Sequence, residues 1–224
     1  MFILNIINKL TKTDFVSRFK DIQKECFDFT EDISYEQMLV KQDAAYENLA
    51  KEFLENDAYN KSVLEQLMLV KVMNAHPFGK ILADGMDETM SLIFAKDSVD
   101  ILNNNQNATA SLLIDFFASC DSQVFEKSLD ILRRLNNQDA FFIIAARRDF
   151  SFDDALFLEL KQQVESGRSP VSCFESFWNY CNVNSWSAEK IMAFFEMGNS
   201  FPNGFSSLMK MCNSYLCFSR GNIN

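Results

Sequence analysis

Between positions 14 and 29 the chain carries Phe15, Phe19, Ile22, Cys26 and Phe29, spaced four, three, four and three. That spacing keeps returning to one face of a helix, so the stretch predicts an amphipathic helix. Ser34-Tyr-Glu-Gln37 follows, with a glutamine three residues after a serine. Such a pair can satisfy each other's unpaired backbone N–H groups at a helix start. It predicts a helix from there through about Leu54, with Met38, Leu39, Tyr46, Leu49 and Phe53 as its stripe. Asp57 is expected to open a third helix. Val63, Leu64, Leu67, Met68, Leu69, Val70, Val72 and Met73 make it apolar almost all round, the pattern of a central buried helix. Pro77 is expected to end it, because proline disfavours helical geometry in the preceding residue, here His76. Helices near 78–84 and 87–102 follow, and then the polar tract NNNQN at 103–107, which reads as a linker.

The second half looks periodic. Helix starts are expected near Thr109, Asp139, Ser172 and Asn203, about 30 to 33 residues apart, with partner helices starting near Ser122, Ser151 and Ser187. The three serines are good N-cap types. The first helices carry close-set aromatics: Phe116-Phe117, Phe141-Phe142, Phe174 with Phe177 and Trp178, then Phe205. Recurrence on this scale predicts helix–turn–helix units stacked so that neighbours share a core. The tetratricopeptide pattern and the ankyrin Thr-Pro-Leu-His signature are absent.

Composition agrees with helices. Among 224 residues there are only 6 glycines and 3 prolines, too few for many hairpins or a glycine-rich nucleotide fold, and 23 phenylalanines promise an aromatic core. The expected fold is therefore all-α: an acidic helical bundle over 1–105, then helical hairpins over 106–224, resembling an α-solenoid. The alternative is that both pack as one continuous domain.

Charge narrows the partners. The formal net charge is −10, and residues 14–65 alone hold 13 acids against 6 bases. Phosphate backbones repel such a surface, so nucleic-acid binding is not expected. Acidic mimicry of a nucleic acid is a further alternative; the plainer account is solvated helix faces. The apolar N-terminus, MFILNIINKL, lacks a basic leader and a cleavage site. Phe2, Ile3, Ile6, Ile7 and Leu10 share a face, which suits a core helix first and an interfacial anchor second. No apolar run reaches spanning length.

Candidate chemistry is sparse. The six cysteines, Cys26, Cys120, Cys173, Cys181, Cys212 and Cys217, form no CxxC, and His76 is the single histidine, so a zinc site of standard spacing is not expected. Free thiols in a reducing, cytoplasmic compartment are the expectation. His76 paired with a cysteine is the simplest nucleophilic site available, against a plain role as a C-terminal helix cap. Paired carboxylates assembled in space are another catalytic route. Asp84, Asp87 and Glu88 surround Gly85 and are the candidate cation ligands. The plainer reading makes Gly85 a left-handed cap and puts the acids at the next helix's positive end. Motifs for nucleotide binding, zinc proteolysis and serine hydrolysis are absent, and no cofactor is expected.

The residues 132–151, LRRLNNQDAFFIIAARRDFS, hold four of the chain's seven arginines. Arg133-Arg134 and Arg147-Arg148 are expected at the ends of two successive helices, where cations suit the dipole. They are candidate anchors for acidic groups of a partner. Trp186, in a polar joint off the core stripe of residues 173–181, is the candidate aromatic anchor. The Asn-, Lys-, Ile- and Phe-rich composition is similar to that of small proteins of low-GC bacteria and their phages, secreted effectors among them. That similarity implies a regulatory or effector role, with delivery into a host cell as one variant. The expected function is a helical module that binds another protein and carries no catalytic site of its own.

Overall fold

The computed structural model describes residues 15–22, 34–55, 61–70, 76–148, 154–181 and 183–219. Every element among them is a helix, and no strand occurs among the described residues. The fold is all-α, as the periodicity predicts. It forms two compact units, divided between Asn136 and Asn137. The N-terminal segment 1–14, Cys26, Phe29, Asp57, Val72, Met73 and Ser151 lie outside the described residues, as do the expectations placed on them.

The first unit holds α1 (15–22), α2 (Tyr35–Glu55), α3 (Lys61–Met68), α4 (His76–Gly85), α5 (Glu88–Asn104), α6 (Ser111–Ser119) and α7 (Ser122–Leu132). The capping pattern forms as read: the Ser34 N–H donates to Gln37 Oε1 at 2.9 Å, and the Gln37 N–H donates to Ser34 Oγ at 3.2 Å. Pro77 does not act as a stop after a long third helix. That helix ends at Met68, and Pro77 is the second residue of α4. A first-turn proline costs nothing, since its missing N–H would be unpaired there anyway. His76 therefore begins a helix rather than capping the end of one.

Alternate helices pack together in this unit. Helix α4 lies against both α2 and α6, and α5 lies against both α3 and α7. Phe78 of α4 is fully buried, with its ring 5.0 Å from Phe19, 6.2 Å from Phe53 and 6.3 Å from Tyr46. A second aromatic chain links α5, α6 and α7 through Phe94, Phe116, Phe117 and Phe125, at 4.6, 5.2 and 6.1 Å. Each phenylalanine buried this way contributes roughly 1.5–3 kcal/mol of transfer free energy. Gly79 is where α4 comes closest to α6: a Cβ there would lie 2.7 Å from Asp115 Cβ and 3.0 Å from Phe116 N.

The polar tract at 103–107 lies inside this first unit, and the compact division falls later, at 136/137. Its polar groups tie the joints together. The Asn103 amide donates to the Arg134 carbonyl at 2.7 Å and accepts from the Asn136 N–H at 2.8 Å. Just beyond the tract, the Thr109 N–H and hydroxyl both donate to the Met68 carbonyl, at 2.7 and 3.2 Å. That carbonyl belongs to the last residue of α3 and has no partner within its own helix.

The second unit holds α8 (Gln138–Arg147), α9 (Ala155–Glu165), α10 (Ser172–Tyr180), a 3-10 turn (Val183–Ser185), α11 (Ala188–Ser200) and α12 (Gly204–Ser219). The same alternation recurs, with α10 against both α8 and α12. Partner helices α7, α9 and α11 start at residues 122, 155 and 188, 33 residues apart each time; α6, α8, α10 and α12 start at 111, 138, 172 and 204. Stacking by alternate helices is thus common to both units, where the hydrophobic pattern suggests it for the second half alone. The caps differ in detail. Ser187 caps α11 through Lys190 N at 3.2 Å, but Asp121, Asn137 and Asp154 take that role for α7, α8 and α9. Phe194 centres the core, stacked at 4.2 Å on Phe174, with Trp178 at 5.3 Å and Trp186 at 5.4 Å.

Candidate partner-binding surface

Arg133 and Arg134 belong to the first unit and Arg147 and Arg148 to the second. Arg133 is the C-cap of α7, and its guanidinium donates to Asp130 three residues back at 2.7 Å. Arg134 is exposed, beside the Asn103-bound joint. Arg147 is the last residue of α8, and Arg148 is its C-cap. The Arg147 guanidinium lies over the ring of Tyr180, 5.3 Å from its centroid. Since α8 and α10 pack together and each ends in one of these residues, the pair marks a shared C-terminal end of the stack. Tyr180 is 43% exposed. Its position off the stripe of residues 173–181 signals a surface residue. Its pairing with an arginine 33 positions earlier depends on helix stacking and has no local signature.

Trp186 does not project alone from its joint. Its ring meets Trp178 edge-on at 5.8 Å and Phe194 at 5.4 Å, and Lys190 Nζ lies 4.7 Å from its centroid. It is half-buried, one wall of the aromatic core with a cation over it. More exposed apolar side chains in this unit are Leu158 (48%), Met192, Phe205 (69%) and Met209 (48%).

The acids around Gly85 are each placed within a helix joint. Asp84 is exposed on α4. Asp87 caps α5, its carboxylate accepting from the Met90 N–H at 2.8 Å. Glu88 pairs with Lys127 at 2.6 Å. Among the described residues, no group of three or more His, Cys, Asp or Glu side chains is gathered to hold a metal ion. Gly85 is not in the left-handed conformation read for it. There α2 comes close, and a Cβ at 85 would meet only the tip of the flexible Leu54 side chain, Cδ1.

The thiols that can be judged are tuned away from nucleophilicity. Burial pushes the Cys173 thiol up to about 12, with the Asp139 carboxylate adding to the shift by hydrogen bonding and charge. Burial also pushes Cys181 up, against a smaller opposing effect of Lys190. An activated nucleophile needs the reverse shift.

A cleft of about 320 Å³ lies between α1 and α2, lined by Arg18, Asp21, Ile22, Ala45, Asn48, Leu49 and Glu52. Arg18 grips Glu52 with two hydrogen bonds, at 2.7 and 2.6 Å. That grip, chiefly the hydrogen bonds themselves, holds the Glu52 carboxyl below its usual range. No described helix is long and apolar enough to cross a membrane. The chain matches no protein-family model, no curated protein and no solved structure.

Proposed function

We propose that this chain is a helical protein–protein interaction module, a regulator or effector that acts by occupying another protein. The observation that supports it best is the end of the α8–α10 stack, where Arg147 lies over the exposed ring of Tyr180. Arginine and tyrosine supply a large share of binding energy at protein interfaces, because each offers broad rigid contact and directed hydrogen bonds together. Lys190 over Trp186 repeats that chemistry in the same unit. The partner this chemistry suits presents a carboxylate beside an apolar or aromatic side chain. The surrounding acidity of the chain, net −10, disfavours a uniformly acidic partner and favours one whose carboxylate is set in a neutral or basic surface.

Affinity capture from the native cells, followed by mass spectrometry, tests this. Wild type is expected to retain a stoichiometric partner. The variant R147Q/Y180A is expected to lose it, with its far-UV circular dichroism and thermal midpoint close to wild type. R133Q/R134Q separates the contribution of the other arginine pair. Recovery of the chain without any other protein under gentle lysis would overturn the proposal.

A further inference from the structure

We infer that the cleft between α1 and α2 is a binding site for a small organic cation, a protonated amine on a short apolar body. The inference goes beyond binding of another protein and stands on separate residues. Phe15 meets Phe53 at 5.7 Å and Phe19 meets Tyr46 at 5.4 Å, so α1 and α2 run antiparallel. At one end of the cleft Arg18 and Glu52 join the two helices through hydrogen bonds of 2.7 and 2.6 Å. About one turn further, Asp21 and Ile22 line it from α1, and Asn48 and Leu49 line it from α2. Ile22 and Leu49 are buried and give it an apolar wall. Its volume, about 320 Å³, falls at the small end of the roughly 300–1,000 Å³ typical of small-molecule sites. The occupant is therefore a compact molecule, apolar on the side that meets the two aliphatic side chains.

Charge sets the sign of its polar end. One arginine and two carboxylates line the cleft, a net charge of −1. The surrounding segment 14–65 adds to the same sign, with 13 acids against 6 bases. A concave site lined by one sign of charge concentrates ions of the opposite sign. An incoming anion would have to break the two-point grip of Arg18 on Glu52 and would then face Asp21. An ammonium needs no such exchange. A carboxylate offers about four lone-pair sites, so Asp21 and Glu52 can accept from a ligand N–H beside the contacts they already make. Arg18 keeps Glu52 ionised for that purpose. The side-chain carbonyl of Asn48 is a further acceptor on the same wall.

Titration of the full-length chain with n-butylammonium, followed by backbone amide chemical shifts, tests this, with 1-butanol and butyrate as probes of the same length. Wild type is expected to bind n-butylammonium saturably, with a dissociation constant of about a millimolar and shifts centred on Ile22, Asn48 and Leu49. The alcohol and the carboxylate are expected to bind at least about fivefold more weakly. Asp21→Asn is expected to weaken the ammonium by at least about fivefold. Asp43→Asn removes the same charge from an exposed position of α2 outside the cleft, and is expected to change binding less than twofold. Shifts that never saturate or spread over every acidic helix would overturn the inference, as would butyrate binding as tightly as n-butylammonium. Both outcomes are read on wild type, so they do not depend on the folding of any variant. A chain that ignores n-butylammonium yet captures another protein would sink this inference alone and leave the proposed function standing.

Discussion

Replacing Gly79 with alanine puts one methyl group where α4 and α6 come closest. The new Cβ would lie 2.7 Å from Asp115 Cβ, 3.0 Å from Phe116 N and 3.2 Å from Asp115 C, against an ordinary contact of 3.4 Å or more. The obstructing atoms are backbone and a Cβ, so no side-chain rotation relieves them, and the helices must part by about 0.7 Å. A gap of that order forfeits about a quarter to a half of each dispersion contact; over roughly 40 atom pairs at about 0.15 kcal/mol each, the loss is about 2 kcal/mol. Alanine returns about 0.8–1.0 kcal/mol through its better helix propensity, leaving a net destabilisation of about 1 kcal/mol. Gly85→Ala supplies the control. There the obstruction is only Leu54 Cδ1, the tip of a flexible side chain, so the propensity gain should survive. Comparing the two by urea unfolding followed at 222 nm cancels the propensity term and isolates the packing term, about 2 kcal/mol. If Gly79→Ala is as stable as wild type, or matches Gly85→Ala, the close α4–α6 contact is not the constraint described above.

Two further outcomes follow from ionisable groups. Glu52 has a carboxyl pKa lowered by Arg18, so the pair stabilises the fold above the ordinary carboxylate range and loses that contribution as pH falls from there through the lowered folded-state value. Both side chains are about 40% exposed, which limits the effect to about 0.2–1 kcal/mol; Glu52→Gln should cost that much near pH 7 and progressively less as pH falls below the ordinary carboxylate range, and a cost independent of pH would refute the assignment. Cys173, with its thiol pushed up to about 12, should alkylate with iodoacetamide far more slowly than the unfolded chain at pH 8. The raised value also means that stability is lost as pH rises from the free-thiol range, about 8.5, towards 12, and Asp139→Asn should narrow that window.

Much of the fold is local and could be read from the sequence. The Ser34–Gln37 cap works because both partners lie within one turn, so no distant residue is needed to make it. The stripes of α1 and α2 are legible for the same reason: burial follows a 3.6-residue period wherever a helix has one wet side. Pro77 shows the limit. A proline breaks a helix interior and opens a helix equally well, and only the position of the neighbouring helices decides between the two. The caps of α7, α8 and α9 moved from the expected residues to Asp121, Asn137 and Asp154, because several adjacent polar side chains were competent. Of the candidate surface, the four arginines and Trp186 could be named in advance, but not their surroundings.

The sequence by itself determined an all-helical chain, its aromatic core and its short polar joints, since these depend on period, propensity and capping over a few residues. Tertiary structure decided which helices are neighbours: α4 with α6 across a methyl-free contact at Gly79, and α8 with α10, which sets Arg147 over Tyr180. It also sorted the four arginines into two units and turned Phe205 and Met209 of α12 outward. Those outcomes depend on pairings between residues some thirty positions apart. Such pairings are fixed by the summed fit of whole helix faces, which no short stretch of sequence records.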